Sequence, residues 1–370
     1  MQFLPDEAQS MMRDTVRRWV EKDYSAEGDS TLGCDPDRWA FLAEQGWLAA
    51  GVSEEAGGLG GNAFDLCTIA EELGRGLVRD AFVPFAGATA NLLAQIAPGS
   101  DLLQELLWGG GRPLLAHSEA AARGEQLFIE TTARADGDGF VLDGRKDAVL
   151  GGPFATSLLI SARIEGEDGI TIFQIDPGQP GLTQQSFRTI DNRSACNLVL
   201  DGVKLASDAL VGPRSGADNA LILALDQAIL ASCAEAVGAM EAAMLMTRDY
   251  LRTRKQFGSE IGKFQALQHR LADMFIETEQ ARSIVLRAID AACGEDVAQR
   301  QRLAAAAKSR VAQAGLFVGG QAIQLHGGIG MTEEYGVGHY FKRLMAFDLY
   351  LGSGNAHLER FAALQQAERT

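Results

Sequence analysis

The sequence predicts an α+β chain with a helical N-terminal domain, a middle antiparallel β domain and a C-terminal helical bundle. Three observations carry that reading. Apolar residues recur at helical spacing up to about Trp108. Beyond Gly109-Gly110-Gly111 the period shortens to strand-like alternation, and beyond Val211-Gly212-Pro213-Arg214-Ser215-Gly216 long apolar helical runs return. The expected domains are therefore 1–112, 113–212 and 213–370, in keeping with a length of 370 residues, too long for one ordinary core.

In the first region Met11, Val16, Trp19 and Val20 mark one helix, and Phe41, Leu42, Trp47 and Leu48 a second. The run Ala56-Gly57-Gly58-Leu59-Gly60-Gly61 separates these from a helix around Asp65 to Gly74. A glycine run of this kind can cradle phosphate, but outside a strand–loop–helix context it reads first as a turn. In the second region Leu127 to Ala135 and Phe140 to Leu150, joined by Asp136-Gly137-Asp138-Gly139, predict a hairpin. Leu158 to Ile164 and Ile170 to Ile175 form another pair around Asp168-Gly169, and Asn197 to Leu205 adds a further strand. Strands this closely spaced, with no helices between them, predict a small sandwich or barrel rather than a parallel sheet. In the third region Phe264, Leu267, Leu271, Met274 and Phe275 trace one helix face, and helices this apolar form bundle cores, often shared with another subunit.

Composition narrows the function. A hydrophobic fraction of 46% with 22% charged residues is an ordinary globular balance. The net charge of -16 repels phosphate backbones and anionic lipid, which disfavours nucleic acid and membrane surfaces as partners. The opening MQFLPDEAQS carries Asp6 and Glu7 where a signal peptide has basic residues, so a cytoplasmic location is expected. Ala220 to Met246 is strongly apolar, but Asp226 and Glu235 within it point to a buried helix rather than a membrane span. Cys34, Cys67, Cys196, Cys233 and Cys293 show no paired spacing and read as reduced thiols. None of His117, His269, His326, His339 and His357 has a partner at metal-ligand spacing, so packing or hydrogen-bonding roles are expected and no metal.

Two stretches of the third region are more specific. The first is Arg254-Lys255-Gln256-Phe257-Gly258, followed by Ile261-Gly262-Lys263-Phe264-Gln265 and Gln268-His269-Arg270-Leu271-Ala272-Asp273-Met274. The second is Gln324-Leu325-His326-Gly327-Gly328-Ile329-Gly330, continuing to Glu333-Glu334-Tyr335. An arginine can hold a pyrophosphate bidentately, and paired glycines let a backbone approach a ligand without a Cβ in the way. Both stretches, with the order helix, strand, helix and the N-terminal run Gly46-Trp47 through Glu54-Glu55 to Glu71-Glu72-Leu73-Gly74, resemble the acyl-CoA dehydrogenase family. The resemblance covers essentially the whole chain. It implies FAD as cofactor, an acyl-CoA thioester as substrate, α,β-desaturation as the reaction and an electron-transfer flavoprotein as electron acceptor. It also implies cofactor contacts from Arg254, Gln256, Phe257, Phe264, Gln265, Gln324, Gly327 and Gly328, which in the family hold the adenine-side half of a flavin whose ring lies mainly in the neighbouring subunit.

The reaction needs a carboxylate beside the acidic carbon of the thioester, while the flavin supplies the redox chemistry. In most relatives that glutamate precedes a Gly-Thr pair near the C-terminus. The matching stretch here is Asp348-Leu349-Tyr350-Leu351-Gly352-Ser353-Gly354-Asn355, which puts Leu351 or Gly352 at the position. An alternative family position on an earlier helix falls at Gln227 or Ala228. None of these accepts a proton, so no catalytic residue is assigned. Asp226, turned by about 200° from Ala228 around a helix, and Glu359 are the possible stand-ins. The elements that flank the flavin ring in the family are reduced to Ser118-Glu119-Ala120, Arg123-Gly124-Glu125 and Ala148-Val149-Leu150 after Lys146.

This asymmetry, with the finer likeness carried by Cys233-Ala234-Glu235-Ala236-Val237-Gly238 and Val337-Gly338-His339-Tyr340-Phe341-Lys342-Arg343, is similar to the small, base-lacking subunits of bacterial two-component enzymes such as pimeloyl-CoA dehydrogenase. The implied partner is a homologous catalytic chain in a heterotetramer, and the alternative is a self-sufficient homotetramer with a relocated base. The same fold also hosts flavin monooxygenases, and a structural protein that has lost flavin is a further alternative.

Overall fold

The computed structural model describes residues 6–26 and 29–367. The opening MQFLP, part of the stretch read for a signal peptide, lies outside them. In chain order the elements are helices α1 (Glu7–Lys22), α2 (Pro36–Glu44), α3 (Ala63–Arg75), α4 (Ala90–Ile96) and α5 (Asp101–Leu107), then strands β1 (Pro113–Ala116), β2 (Thr132–Asp136), β3 (Gly139–Leu150), β4 (Ser157–Ile164), β5 (Thr171–Ile175), β6 (Leu182–Arg188), β7 (Ser194–Leu205) and β8 (Leu210–Val211). The long helix α6 (Asp218–Thr253) follows, then a hairpin of β9 (Lys255–Gln256) and β10 (Ser259–Glu260), and helices α7 (Gln265–Ala292), α8 (Val297–His326), α9 (Val337–Leu349) and α10 (Gly354–Ala367). The order helix, strand, helix is the one the periodicity predicts.

The chain divides into two compact units, each assembled from separated stretches. One contains residues 1–28, 67–78 and 229–370, the other 29–66 and 79–228. In the first, α6 supplies a core of small and branched side chains from Ile229 to Ala243, nearly all fully buried. Gly74 of α3 and Gly238 of α6 face each other's helix so closely that a Cβ on Gly74 would lie 2.0 Å from the Glu235 carbonyl oxygen, and one on Gly238 1.9 Å from that of Glu71. The two backbones therefore cross in contact, and any side chain at either position would drive them apart. The alanine-rich α8 packs α9 in the same manner, with Gly319 against Phe341 and Gly315 against Leu344.

Charges cross-link these helices. Arg282 of α7 reaches Glu71 of α3 and Glu241 of α6. Arg75 binds Glu72 and Glu241 at 3.0 and 2.8 Å, and Arg17 of α1 binds Glu72, whose side chain is fully buried, at 2.6 Å. Arg343 of α9, almost fully buried, donates to the Val78 carbonyl through both Nη atoms and to Glu235.

In the second unit the strands form an eight-stranded sheet in the order β6-β7-β3-β2-β4-β5-β8, with β1 also on β4. The expected hairpins β2–β3 and β4–β5 are present and antiparallel. Two features depart from the sequence reading. First, β4 carries parallel partners on one edge: β1 along Ser157–Ile160 and β2 at Arg163–Ile164. Loops rather than helices make these crossovers, so no alternating helical pattern signals them. Second, the strand expected from Leu127 begins only at Thr132. The backbone N–H groups of Glu130 and Thr131 donate to the carboxylate of Glu119, and the Leu127 carbonyl accepts from Arg163. Side chains satisfy that stretch in place of a ladder. The second expected helix is likewise shorter, because Gly46 at φ 72° breaks it before Trp47. The glycine run 56–61 is a turn in which Gly58 and Gly61 press on the carbonyls of Val52 and Ala50.

α6 is the one described helix long and apolar enough to cross a membrane, and 78% of its most apolar window is buried within the protein. All five cysteines are free thiols.

Arg282→Ala removes the cation shared by Glu71 and Glu241, leaving the partly buried Glu71 without its ion pair beside a Glu241 held by Arg75 alone. Urea unfolding should report a loss of about 3 kcal/mol, whereas replacing the exposed Arg248 should change stability by less than about 0.5 kcal/mol.

Candidate cofactor site

The eight residues singled out in the third region all lie on the first compact unit, at the ends of α6, α7 and α8. Arg254 follows the last turn of α6, and its carbonyl accepts from Ile261 N at 2.9 Å, which closes the small β9–β10 hairpin. Phe257 and Gly258 form the tip with φ of 52° and 82°. A two-residue hairpin turn with positive φ at both positions suits Gly or Asn and strains Phe, so the aromatic at the tip is held there against its backbone preference. Its side chain is 90% exposed and meets Phe264 edge-on, ring centroids 6.1 Å apart. Phe264 is the N-cap of α7 rather than part of its face, and Gln265 is the first residue of that helix. The apolar face predicted for α7 is largely on the surface: Phe264 and Phe275 are exposed and only Met274 of the set is buried.

Gln324 sits exposed in the last turn of α8, and Gly327 ends that helix at φ 64°, ψ −139°, a conformation open only to glycine. A Cβ on Gly327 or Gly328 would meet nothing within 4 Å, so the backbone here borders open space. The two motifs are joined by a stack. Tyr250, one turn before Arg254, lies on His326 at 4.5 Å, and Tyr335 closes on the same imidazole at 4.9 Å. Burial pushes the His326 pKa down, and Nδ1 donates to the Ala322 carbonyl at 2.8 Å. Gly330 is small because a Cβ there would come within 2.9 Å of the His326 Cβ. A second tie runs from Arg270 of α7 to Gln321 of α8 at 3.3 Å. Among the described residues the exposed Arg254 guanidinium has no hydrogen-bond or ion-pair partner. An unpaired guanidinium, two exposed aromatics, three exposed amides and a glycine-lined edge fit a pyrophosphate with an apolar group attached. Tyr335 belongs to the second motif but carries no role in the sequence analysis, and Tyr250, a tyrosine one helical turn before Arg254, is not singled out there.

In the other unit, the residues read as remnants of a ring-flanking site form a closed polar cluster. Lys146 Nζ, fully buried, donates to Glu119 at 2.6 Å and to Ser161 at 3.1 Å. Thr131 Oγ1 donates to Glu119 at 2.7 Å, and His117 bonds Ser161 through Nδ1 and the Gln126 carbonyl through Nε2. Burial draws Lys146 down to about 8 despite its carboxylate, and burial with the nearby Lys146 charge draws His117 down to about 4. Burial opposes ionisation of Glu119, but Lys146 and Thr131 outweigh it and hold the carboxyl below its usual range. The cluster ties Glu119 to β3, where Ala148 adopts φ 52° at a bulge and its N–H donates to Asn197 Oδ1 at 2.9 Å. The backbone of this segment is therefore firmly held. Arg123 and Gly124 lie in a turn with positive φ.

Leu351 and Gly352 lie between α9 and α10 at φ 57° and 97°. His357 Nε2 donates to the Leu351 carbonyl at 2.8 Å, the buried Lys308 donates to the Phe347 carbonyl, and Asp348 accepts from Gly354 N at 2.9 Å. The loop is rigidly built around a residue that cannot accept a proton. Asp226 is fully buried, Gln227 and Ala228 are buried beside it on α6, and Glu359 is exposed on α10.

Residues 6–101, 115–203 and 217–364 match the N-terminal, middle and C-terminal domains of acyl-CoA dehydrogenases. Acyl-CoA dehydrogenase IpdE2 of Mycolicibacterium smegmatis is 32% identical, over 96% of this chain and 98% of that protein. The chain belongs to the acyl-CoA dehydrogenase family. Among solved acyl-CoA dehydrogenase structures, the Tcur3481-Tcur3483 steroid ACAD variant is 31% identical with a TM-score of 0.86, covering 98% of this chain and 99% of that one. The ChsE4-ChsE5 complex from Mycobacterium tuberculosis is 25% identical with a TM-score of 0.88, covering 100% and 99%.

His117 and His357, both at about 4, are neutral in the folded acyl-CoA dehydrogenase, while an unfolded chain protonates them near 6.5. The stability they permit is full above about 6.5 and is lost as pH falls toward 4, by about 2 kcal/mol for each between roughly pH 7 and 5. His357→Asn should flatten its share of that slope in urea unfolding measured at both pH values.

Proposed function

We propose that this chain is the subunit of a two-chain acyl-CoA dehydrogenase that completes the FAD site of a homologous, base-bearing partner. The observation that carries the reading is the exposed set of Arg254, Phe257, Gly327 and Gly328, in a chain whose C-terminal loop has Leu351 and Gly352 at the base position. The bound flavin supplies the hydride acceptor. Arg254 holds its pyrophosphate, Gln256, Gln265 and Gln324 donate neutral hydrogen bonds, and Phe257 with Phe264 forms an apolar wall. Gly327 and Gly328 let the dinucleotide approach the backbone. Leu351 cannot take the α-proton of the thioester, so the base comes from the partner chain. The likeness to the Tcur3481-Tcur3483 steroid ACAD at 31% identity supports a steroid-derived acyl-CoA as the substrate class, and the double name of that protein with the ChsE4-ChsE5 complex supports the heteromer. An electron-transfer flavoprotein then accepts the electrons.

The deciding experiment is the visible spectrum of the purified chain, alone and co-purified with its partner, before and after anaerobic addition of acyl-CoAs. The chain alone should show little flavin or flavin that never bleaches, and the complex should bleach. Bleaching by the chain alone would overturn the subunit reading and send the search for a base to Asp226→Asn and Glu359→Gln. In the complex, Arg254→Gln should weaken FAD binding by about tenfold or more, read by flavin fluorescence on dilution.

A further inference from the structure

Arg38, in the first turn of α2, spreads its guanidinium over three carboxylates. Nε binds Asp80 at 2.7 Å, Nη1 binds Asp35 at 3.0 Å, and Nη2 binds Asp29 at 3.0 Å and Thr31 Oγ1 at 2.8 Å. Asp29 and Asp80 have a shared place in the chain's course. The second compact unit takes up the chain at Asp29, gives it up after Leu66 and takes it up again at Arg79. The two points of return also touch directly. Gly33 stands at φ 82° with its missing Cβ only 2.1 Å from the Arg79 carbonyl oxygen, and the Arg79 guanidinium donates to the Asp29 carbonyl. Asp29 further accepts from the backbone and hydroxyl of Thr31, which fixes the segment behind it. Arg38 is thus shared by three acids, and Asp80 Oδ1 is buried with no hydrogen-bond partner.

We propose that Arg38 is a clamp that makes segments 29–35 and 79–82 open and close as one piece, held against the mutual repulsion of Asp29, Asp35 and Asp80. Like charges this close and this shielded from water repel strongly once their shared cation is gone. Removal of Arg38 therefore frees both segments at once instead of fraying one loop, a local opening confined to these two stretches. The clamp uses none of the groups assigned to the cofactor.

Hydrogen exchange on the full chain tests this. In Arg38→Gln, amides in 29–35 and 79–82 should exchange at least about tenfold faster together, while β4 and β5 keep their protection. In the double variant Arg38→Gln, Asp80→Asn, with one acid neutralised, the increase should be smaller. An increase in one segment alone, in neither, or of equal size in the double variant would overturn the proposal. Should Arg38→Gln fail to fold, Gly33→Ala pushes the two backbones apart at their contact and must show the same paired increase; a change limited to 29–35 overturns the clamp.

Discussion

The contact of α3 with α6 at Gly74 and Gly238 is the constraint on which the rest of the helical unit depends. Only with the two backbones touching do Glu71 and Glu72 of α3 and Glu235 and Glu241 of α6 come within reach of Arg75, Arg282 and Arg343. Arg343 in turn fixes α9, and α9 fixes the start of the loop that contains Leu351. The charges therefore follow from the glycines. With a larger residue at either position, seven charged side chains lose their register and several half-buried carboxylates lose their cations.

Much of this was legible in the sequence. Helical periods, the change to alternation after the triple glycine, and two C-terminal signatures announced the order of elements and the family. Less legible was whatever depends on pairing across long separations. β1 and β2 both lie parallel to β4, and no local pattern marks a strand whose partner is 44 or 31 residues away. The stretch 127–131 alternates like a strand, but its Glu130 and Thr131 N–H groups go to Glu119, a carboxylate whose burial only the folded chain reveals. Within the cofactor cluster, Arg254 and the glycines were readable as chemistry. The part played by Tyr250 was not, because an aromatic at helical spacing ordinarily signals core, and Tyr335 stood in its motif without a role.

The proposed division of labour rests on a difference in how two parts of the chain are built. The Arg254 hairpin and the Gly327 turn keep strained or glycine-only backbones and present their polar groups outward. The cluster around Glu119 and Lys146 is closed, with its hydrogen bonds satisfied inside the protein. On the proposed reading the first is a half-site that gains from an external ligand and the second is scaffold, while the loop at Leu351 has a left-handed backbone and no carboxylate at its turn.

The exposed apolar side chains have a thermal consequence. Phe257, Phe275, Met331, Leu349 and Leu358 are each at least half exposed. Any chain that covers them removes apolar surface from water, which lowers the heat capacity of the assembly relative to its parts. The entropic drive for such coverage fades on cooling, so any contact made through these side chains loosens in the cold and tightens on warming.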